Sequence, residues 1–422
     1  MIFLIRILLL LTVFLIPILP ASGQFGWEQI KVVTFLTLNS LAGFLWLIWL
    51  SKNQIKISWS RVKIASILFI LMLFLSALLG TDPMGSLLGK DPYFQGWILY
   101  AEMFLFMLMV STVEIPLMHW ATALAAGSVM VSLLAIKEAI SLYLLNMAIP
   151  NYAGRVVSTF GQPNFYAGFL LLTLPFCYFL LTKSNKGSAY LAAGSGLLAL
   201  VGILVSYSRS AIILALLLLI LGLIDQLKGK FKMMLVCSAI VFISIIGALR
   251  FSSGLVGSEV SRPIFTNNPD LTKESVEKRA YIWPVAWQLF LIKPLSGYGL
   301  ENISQTFSDY FISNKHLLFE ENLKISPVLI SLKELNIDRT HNYILDVLLF
   351  SGIFGLLAWI YLVVVLLLKS KKYKILFVSA VSYLIWVQFQ NQGVVHLIYF
   401  WLLVGLIDQH LFIDKHLKKK LT

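Results

Sequence analysis

Residues 342–368 read NYILDVLLFSGIFGLLAWIYLVVVLLL, an unbroken apolar run whose one charged side chain is Asp346. A stretch of this length and composition crosses the roughly 30 Å hydrocarbon core of a bilayer as a helix. Runs of the same kind recur at 2–20, 30–50, 63–80, 97–112, 121–145, 165–182, 188–206, 210–226, 231–249, 374–389 and 394–413. The whole chain of 422 residues is 59% hydrophobic and 13% charged, against about 45–50% and about 25% in soluble domains. That composition excludes a soluble enzyme, a secreted domain and a disordered chain. It predicts an all-α polytopic membrane protein with about 12 transmembrane helices and one large external helical loop. Four segments follow: nine membrane helices in 1–249, the external loop 250–341, three membrane helices in 342–413 and a basic cytoplasmic tail, 414–422.

The net charge of +13 invites comparison with nucleic-acid-binding proteins, but its distribution gives another origin. Alternate connections are basic: Lys52, Lys56, Arg61 and Lys63; Lys183 and Lys186; Lys228, Lys230 and Lys232; Lys369, Lys371, Lys372 and Lys374; Lys415, Lys418, Lys419 and Lys420. With Arg6 they make 18 of the 33 Lys and Arg residues, and only Glu114, Asp225 and Asp414 offset them, leaving +15 on one side. The short connections on the other side hold Lys31, Lys90, Arg155 and Arg209, while 250–341 carries ten basic and ten acidic residues. The positive-inside rule places the basic side, with both termini, in the cytoplasm. No basic face of a folded domain remains for nucleic acid.

Arg6, the first apolar run and Ala21-Ser22-Gly23 also fit a cleaved signal peptide, although the run is long for one and an uncleaved span is preferred. Cys177 and Cys237 lie in separate runs, without a C-x-x-C motif or a nearby His, and read as core thiols. Paired broken helices or inverted symmetry, the marks of many transporters, are not evident. A solute or anion transporter using an outward cavity remains the alternative from another class.

Polar residues inside apolar spans are costly and mark functional positions. Here they collect at the outer ends: Glu102, Lys137, Glu138, Arg209, His341, Asp346, Gln388, Gln390, Asn391, Gln392 and His396. Asp408 and His410 fall at the cytoplasmic end. Lys137 and Glu138 are adjacent, cannot share a helix face, and each needs a partner elsewhere. Within the external loop, 273–292 (KESVEKRAYIWPVAWQLFLI) reads as a helix at the membrane surface, kinked or restarted at Pro284. Pro294-Leu-Ser-Gly297-Tyr-Gly299 follows as a turn, then a short helix from about 301 to 312. His341 falls where the apolar run 342–368 begins. Capping by Thr340 or Asp338 would put it in the first turn, where the helix dipole and Arg339 favour a neutral imidazole able to take a proton. Helix N-termini also bind phosphate. The simpler reading is an interfacial histidine without chemistry.

These residues fall in blocks that resemble the O-antigen ligase and polymerase superfamily of bacterial membrane glycosyltransferases. The resemblance covers about residues 80–400. Its most specific part runs from Arg279-x-x-x-Trp283 through Pro294-x-x-Gly297-x-Gly299 to His341-Asn342-x-x-Leu345 and Gly352-x-x-Gly355. Ser208-Arg209-Ser210 is similar to the family's Ser-Arg block, and Arg155 through Phe160-Gly-Gln-Pro-Asn164 to the block before a central span. Ser86–Gly96 (SLLGKDPYFQG) is similar to an earlier external loop.

The resemblance implies a metal-independent transferase without cofactor, with twelve or so spans in the bacterial cytoplasmic membrane and an active site on its outer face. The donor would be a glycan on undecaprenyl pyrophosphate; the acceptor, a lipid A core, another glycan chain or a protein hydroxyl. Ligase, surface-polysaccharide polymerase and protein O-oligosaccharyltransferase share these motifs. The carried-over roles are His341 as general base and Arg209 and Arg279 as pyrophosphate ligands. Arg339 is a third candidate contact for phosphate, and Asp346, Arg155 and Asn164 are candidate supports. A metal-dependent alternative would use Asp82 and Asp91, but both sit in turn-like Asp-Pro pairs outside any carboxylate cluster.

Overall fold

The computed structural model describes residues 1–21, 26–145, 155–184, 186–226, 269–313 and 337–421. Every regular element in them is helical. In chain order these are α1 (Ile2–Leu15), α2 (Trp27–Lys52), α3 (Arg61–Leu79), the short α4 (Pro83–Leu88), α5 (Trp97–Thr112), α6 (Leu117–Ala139) and α7 (Pro163–Lys183). They continue with α8 (Lys186–Val205), α9 (Arg209–Gln226), α10 (Pro269–Ile292), α11 (Ile303–Ser313), α12 (Tyr343–Ser370), α13 (Lys374–Trp386) and α14 (Val394–Leu421). Five helical stretches are long and apolar enough to cross a membrane: Trp27–Lys52, Arg61–Leu79, Leu117–Leu142, Pro163–Lys183 and Tyr343–Ser370. Shorter apolar helices coincide with the runs 2–20, 97–112, 188–206, 374–389 and 394–413, α9 with 210–226, and 231–249 lies outside the described residues. Cys237 lies there too.

Several charged side chains cluster near the two ends of the bundle, while Asn39 of α2 donates to Glu102 of α5 at 2.6 Å within it. At one end Lys63 and Asp408 form a buried ion pair at 3.0 Å, and the Ser60 hydroxyl also donates to Asp408. Asp225 accepts from Lys374 and from the Tyr178 hydroxyl, and Tyr373 donates to the His410 carbonyl at 3.1 Å. At the other end Glu28 accepts from Val394 N at 2.6 Å and Lys31 donates to Thr159 O at 2.5 Å. There Glu138 accepts from Val157 N and Ser158 N, so its partner is backbone of the segment before α7. His396 donates through Nε2 to Phe165 O and accepts Gly393 N at Nδ1, which uses both ring nitrogens in structure.

The apolar run 342–368 is not one straight helix. At Gly352 the backbone turns to φ 63° and ψ −164°, a left-handed conformation that glycine adopts without a Cβ clash. A Cβ at this position would overlap the Leu295 carbonyl. The break frees carbonyls that a continuous helix would satisfy internally. Leu349 O accepts Tyr298 N at 2.7 Å, Phe350 O accepts Gly299 N at 2.9 Å, and Ile353 N donates to Pro294 O at 2.8 Å. The Ser76 hydroxyl adds a second bond to Phe350 O. Thus the 294–299 turn is stitched into the break, and two glycine blocks more than fifty residues apart form one joint. A broken span is tolerated in a membrane protein where other backbone meets the freed groups.

Segment 80–96 seals this joint. Thr81 N donates to Tyr298 O at 3.0 Å, Ser86 Oγ to Leu300 O at 2.8 Å, and Asn302 Nδ2 to Ser86 Oγ at 2.9 Å. Pro284 lies inside α10, which runs as one helix to Ile292. Ile282, Ala286 and Leu289 are buried while Trp287, Leu291 and Ile292 stay exposed, as suits a helix with one face on protein and the other toward lipid.

Candidate functional site

The segment 337–342 enters α12 as irregular chain, and its polar atoms are closely engaged. Asp346 Oδ1 accepts both the N–H and the hydroxyl of Thr340, each at 2.8 Å. The Thr340 carbonyl accepts the Trp283 indole N–H of α10 at 3.0 Å. Asn342, not Thr340 or Asp338, caps α12 by accepting Leu345 N at 3.1 Å. His341 therefore precedes the cap instead of lying in the first turn. It adopts φ 58°, a left-handed conformation costing a non-glycine residue about 1–3 kcal/mol and kept only where neighbours dictate it. Thr340, held at its N–H, carbonyl and hydroxyl, is the neighbour that dictates it. Asp346 thus bonds Thr340, the residue that precedes His341.

His341 is half-buried, and its Nδ1 is buried with no hydrogen-bond partner among the described residues. Burial, followed by the positive charge of Arg279, lowers its pKa from 6.5 to about 4. The imidazole is neutral, as expected, but the causes are these two and not the helix dipole or Arg339. Arg279 lies one turn before Trp283 on α10, and its Nε is also buried and unpartnered; burial lowers its pKa. Arg279 Nε and His341 Nδ1 thus stand unsatisfied, as do Asn391 Oδ1 and Gln392 Nε2 in the adjoining turn, and such atoms mark places where a ligand completes the structure.

Arg339 has a different setting. Its Nη2 meets Glu301 at 2.7 Å, with both side chains about 5% exposed or less. Its guanidinium lies 4.5 Å from the Tyr93 ring centroid and 5.0 Å from that of Phe350. Burial opposes its charge, but Glu301 and Asp346 outweigh burial and raise its pKa. Glu301 also accepts Gln95 N at 3.0 Å, and burial raises the pKa of neighbouring Asp338. Arg339 is thereby fastened to the protein, unlike Arg279.

Arg209 opens α9 as an exposed side chain. Arg155 secures the turn before it, donating through Nε to Ser206 O at 3.0 Å and through Nη2 to Asn164 Oδ1 at 3.2 Å. Gln390 donates to Ser210 at 3.1 Å. The same 390–392 turn reaches the His341 side of the cluster: Asn391 donates to the Tyr93 hydroxyl at 3.1 Å, and Gln95 donates to Gln392 O at 2.7 Å. His341, Arg279, Arg339 and Asp346 share one cluster; Arg155 and Asn164 support the Arg209 end; the 390–392 turn joins the two. Sequence reasoning did not single out Glu301, and it quoted Tyr93, Gln95 and Asn342 within motifs without assigning them a role. The Arg279-x-x-x-Trp283 spacing was the one signal for the indole contact.

Asp82 caps α4 by accepting Gly85 N at 3.0 Å and pairs with Lys90 at 2.7 Å. Among the described residues no three His, Cys, Asp or Glu side chains are grouped to hold a metal ion. Residues 194–360 match the family model described as O-Antigen ligase, Wzy_C. The match includes Arg209, Arg279, Arg339, His341 and the Gly352 break; Arg155, Asn164 and segment 80–96 precede it. No curated protein matches the chain.

Proposed function

From the match of residues 194–360 to the O-antigen ligase family model, we propose that the chain belongs to the O-antigen ligase superfamily and transfers a glycan from undecaprenyl pyrophosphate to an acceptor hydroxyl. The membrane is the bacterial cytoplasmic membrane, crossed about twelve times, with both termini inside and the His341 end outside. The +15 of the opposite connections supports that orientation, as does the grouping of Lys63, Asp408, Asp225 and Lys374 at one end. Segments 1–249, 250–341 and 342–413 then serve as a nine-helix scaffold, an external loop bearing Arg279 and His341, and a closing three-helix unit.

The observation that carries the reading is the buried, unpartnered pair of Arg279 Nε and His341 Nδ1. In the reaction the acceptor oxygen attacks the anomeric carbon while its proton passes to neutral His341. The bond to the pyrophosphate oxygen breaks with its electron pair, so the carrier leaves as an anion and the anomeric configuration inverts. Arg279 and Arg209 bind that anion, since planar guanidinium donors reach two phosphate oxygens at once. Arg339 adds a fixed positive charge, held by Glu301. Lipid A core, a growing glycan or a protein hydroxyl would each fit this chemistry as acceptor.

His341→Ala in full-length protein tests the reading. Transfer from a lipid-pyrophosphate donor should fall by about 10²–10⁴-fold, the range for a general base, with insertion and thermal stability unchanged. Transfer at the wild-type rate would remove His341 from the mechanism.

A further inference from the structure

We propose that Trp283 is a positioning residue that sets the register between Arg279 and His341 through its hydrogen bond to the Thr340 carbonyl. The proposal rests on the reading of His341 as base and Arg279 as phosphate ligand. Trp283 and Arg279 are four residues apart on α10 and share a face. The Thr340 carbonyl belongs to the peptide unit whose nitrogen is that of His341. The 3.0 Å bond therefore ties the helix carrying one group to the peptide carrying the other. Among the described residues it is the one hydrogen bond between α10 and segment 337–342.

Two features point to positioning more than to packing. The Trp283 side chain is 38% exposed, so filling a core does not require an indole here. Its bonding partner is also held from the far side, because Asp346 fixes the Thr340 N–H and hydroxyl. A donor aimed at a rigid acceptor transmits position; aimed at a mobile one it would not. In-line displacement depends on sub-ångström placement of the base against the leaving group. The α10 helix packs on the protein through Ile282, Ala286 and Leu289, and the indole bond adds the tie that fixes its register against segment 337–342.

Trp283→Phe keeps an aromatic ring and removes the donor. Full-length protein in liposomes is given glycan-charged carrier lipid and the envelope acceptor fraction of the source cells, and release of undecaprenyl pyrophosphate is followed. The rate should fall about tenfold, one hydrogen bond expressed as rate. In an Arg279→Lys background the same change should cost less than twofold, because register to a bidentate arginine no longer matters. A full tenfold loss in both backgrounds overturns the proposal, and so does a wild-type rate for Trp283→Phe alone. If Trp283→Phe does not insert, Thr340 decides. Thr340→Val should lose about tenfold, and Thr340→Ser, which restores the hydroxyl to Asp346, should lose less than threefold; equal losses overturn it. Activity in His341→Ala refutes the underlying reading separately, whatever the Trp283 result.

Discussion

Lys63 and Asp408, at one end of the bundle, are buried and meet at 3.0 Å with a serine hydroxyl in support. Arg279 and His341, at the other, are coupled by charge yet leave Nε and Nδ1 without partners. The first pair answers its own desolvation. The second leaves that cost standing, which a folded protein tolerates where a ligand later meets it. Removing one partner should therefore have opposite consequences at the two ends. Asp408→Ala leaves Lys63 buried and uncompensated, and should destabilise the protein by about 3–5 kcal/mol without changing the turnover of the folded fraction. His341→Ala should do the reverse. Thermal unfolding in detergent, with transfer normalised to folded protein, measures both. If Asp408→Ala lowered turnover and left stability alone, the distinction between the ends would collapse.

The next largest effect concerns the joint beneath the active cluster. Gly352→Ala puts a side chain on a left-handed residue and against the Leu295 carbonyl. A cost of about 2 kcal/mol is expected, together with loss of transfer as the 294–299 turn shifts α10. A Gly352→Ala protein as stable as wild type would mean that the joint does not depend on this conformation.

How far the sequence disclosed this arrangement depended on the distance over which the deciding interaction acts. Helix positions were legible because each apolar run carries its own signal, and among the described residues most observed bounds fall within a few residues of those expected; α14, which continues to Leu421 where the run ends at 413, is the exception. The α12 cap was not. Asp338, Thr340 and Asn342 are all chemically suitable, and the choice follows from Asp346 capturing Thr340. Arg339 looked like a free phosphate ligand because Glu301, 38 residues earlier, could not be assigned to it from spacing. The Gly352 break was visible as a glycine, but its purpose required the 294–299 backbone beside it. Residue types could be read locally, whereas their engagement depends on contacts between distant segments.

Arg209, at the start of α9, gives a smaller prediction. Arg209→Lys keeps a positive charge and loses the planar fork; a tenfold loss of transfer, about 1.4 kcal/mol, is expected for specific phosphate contact. A change below twofold, measured by carrier release, would assign Arg209 to anchoring at the membrane surface.

The smallest effect is the pH response of His341. With a pKa lowered to about 4, the imidazole stays neutral well below physiological pH. Transfer limited by His341 should change less than twofold between pH 8 and pH 5.5, then fall as pH nears 4. A histidine at the ordinary 6.5 would lose about tenfold by pH 5.5. The stability term has a matching sign. Between pH 6.5 and 4 the unfolded chain binds a proton that folded His341 refuses, so the histidine destabilises the fold progressively through that window. Burial is the larger cause of the shift and Arg279 the second. Arg279→Gln should therefore move the acid limb of the rate profile upward while leaving it below 6.5. An acid limb unchanged in Arg279→Gln would show that the two groups are not coupled, and the contrast with Lys63 and Asp408 would then rest on burial alone.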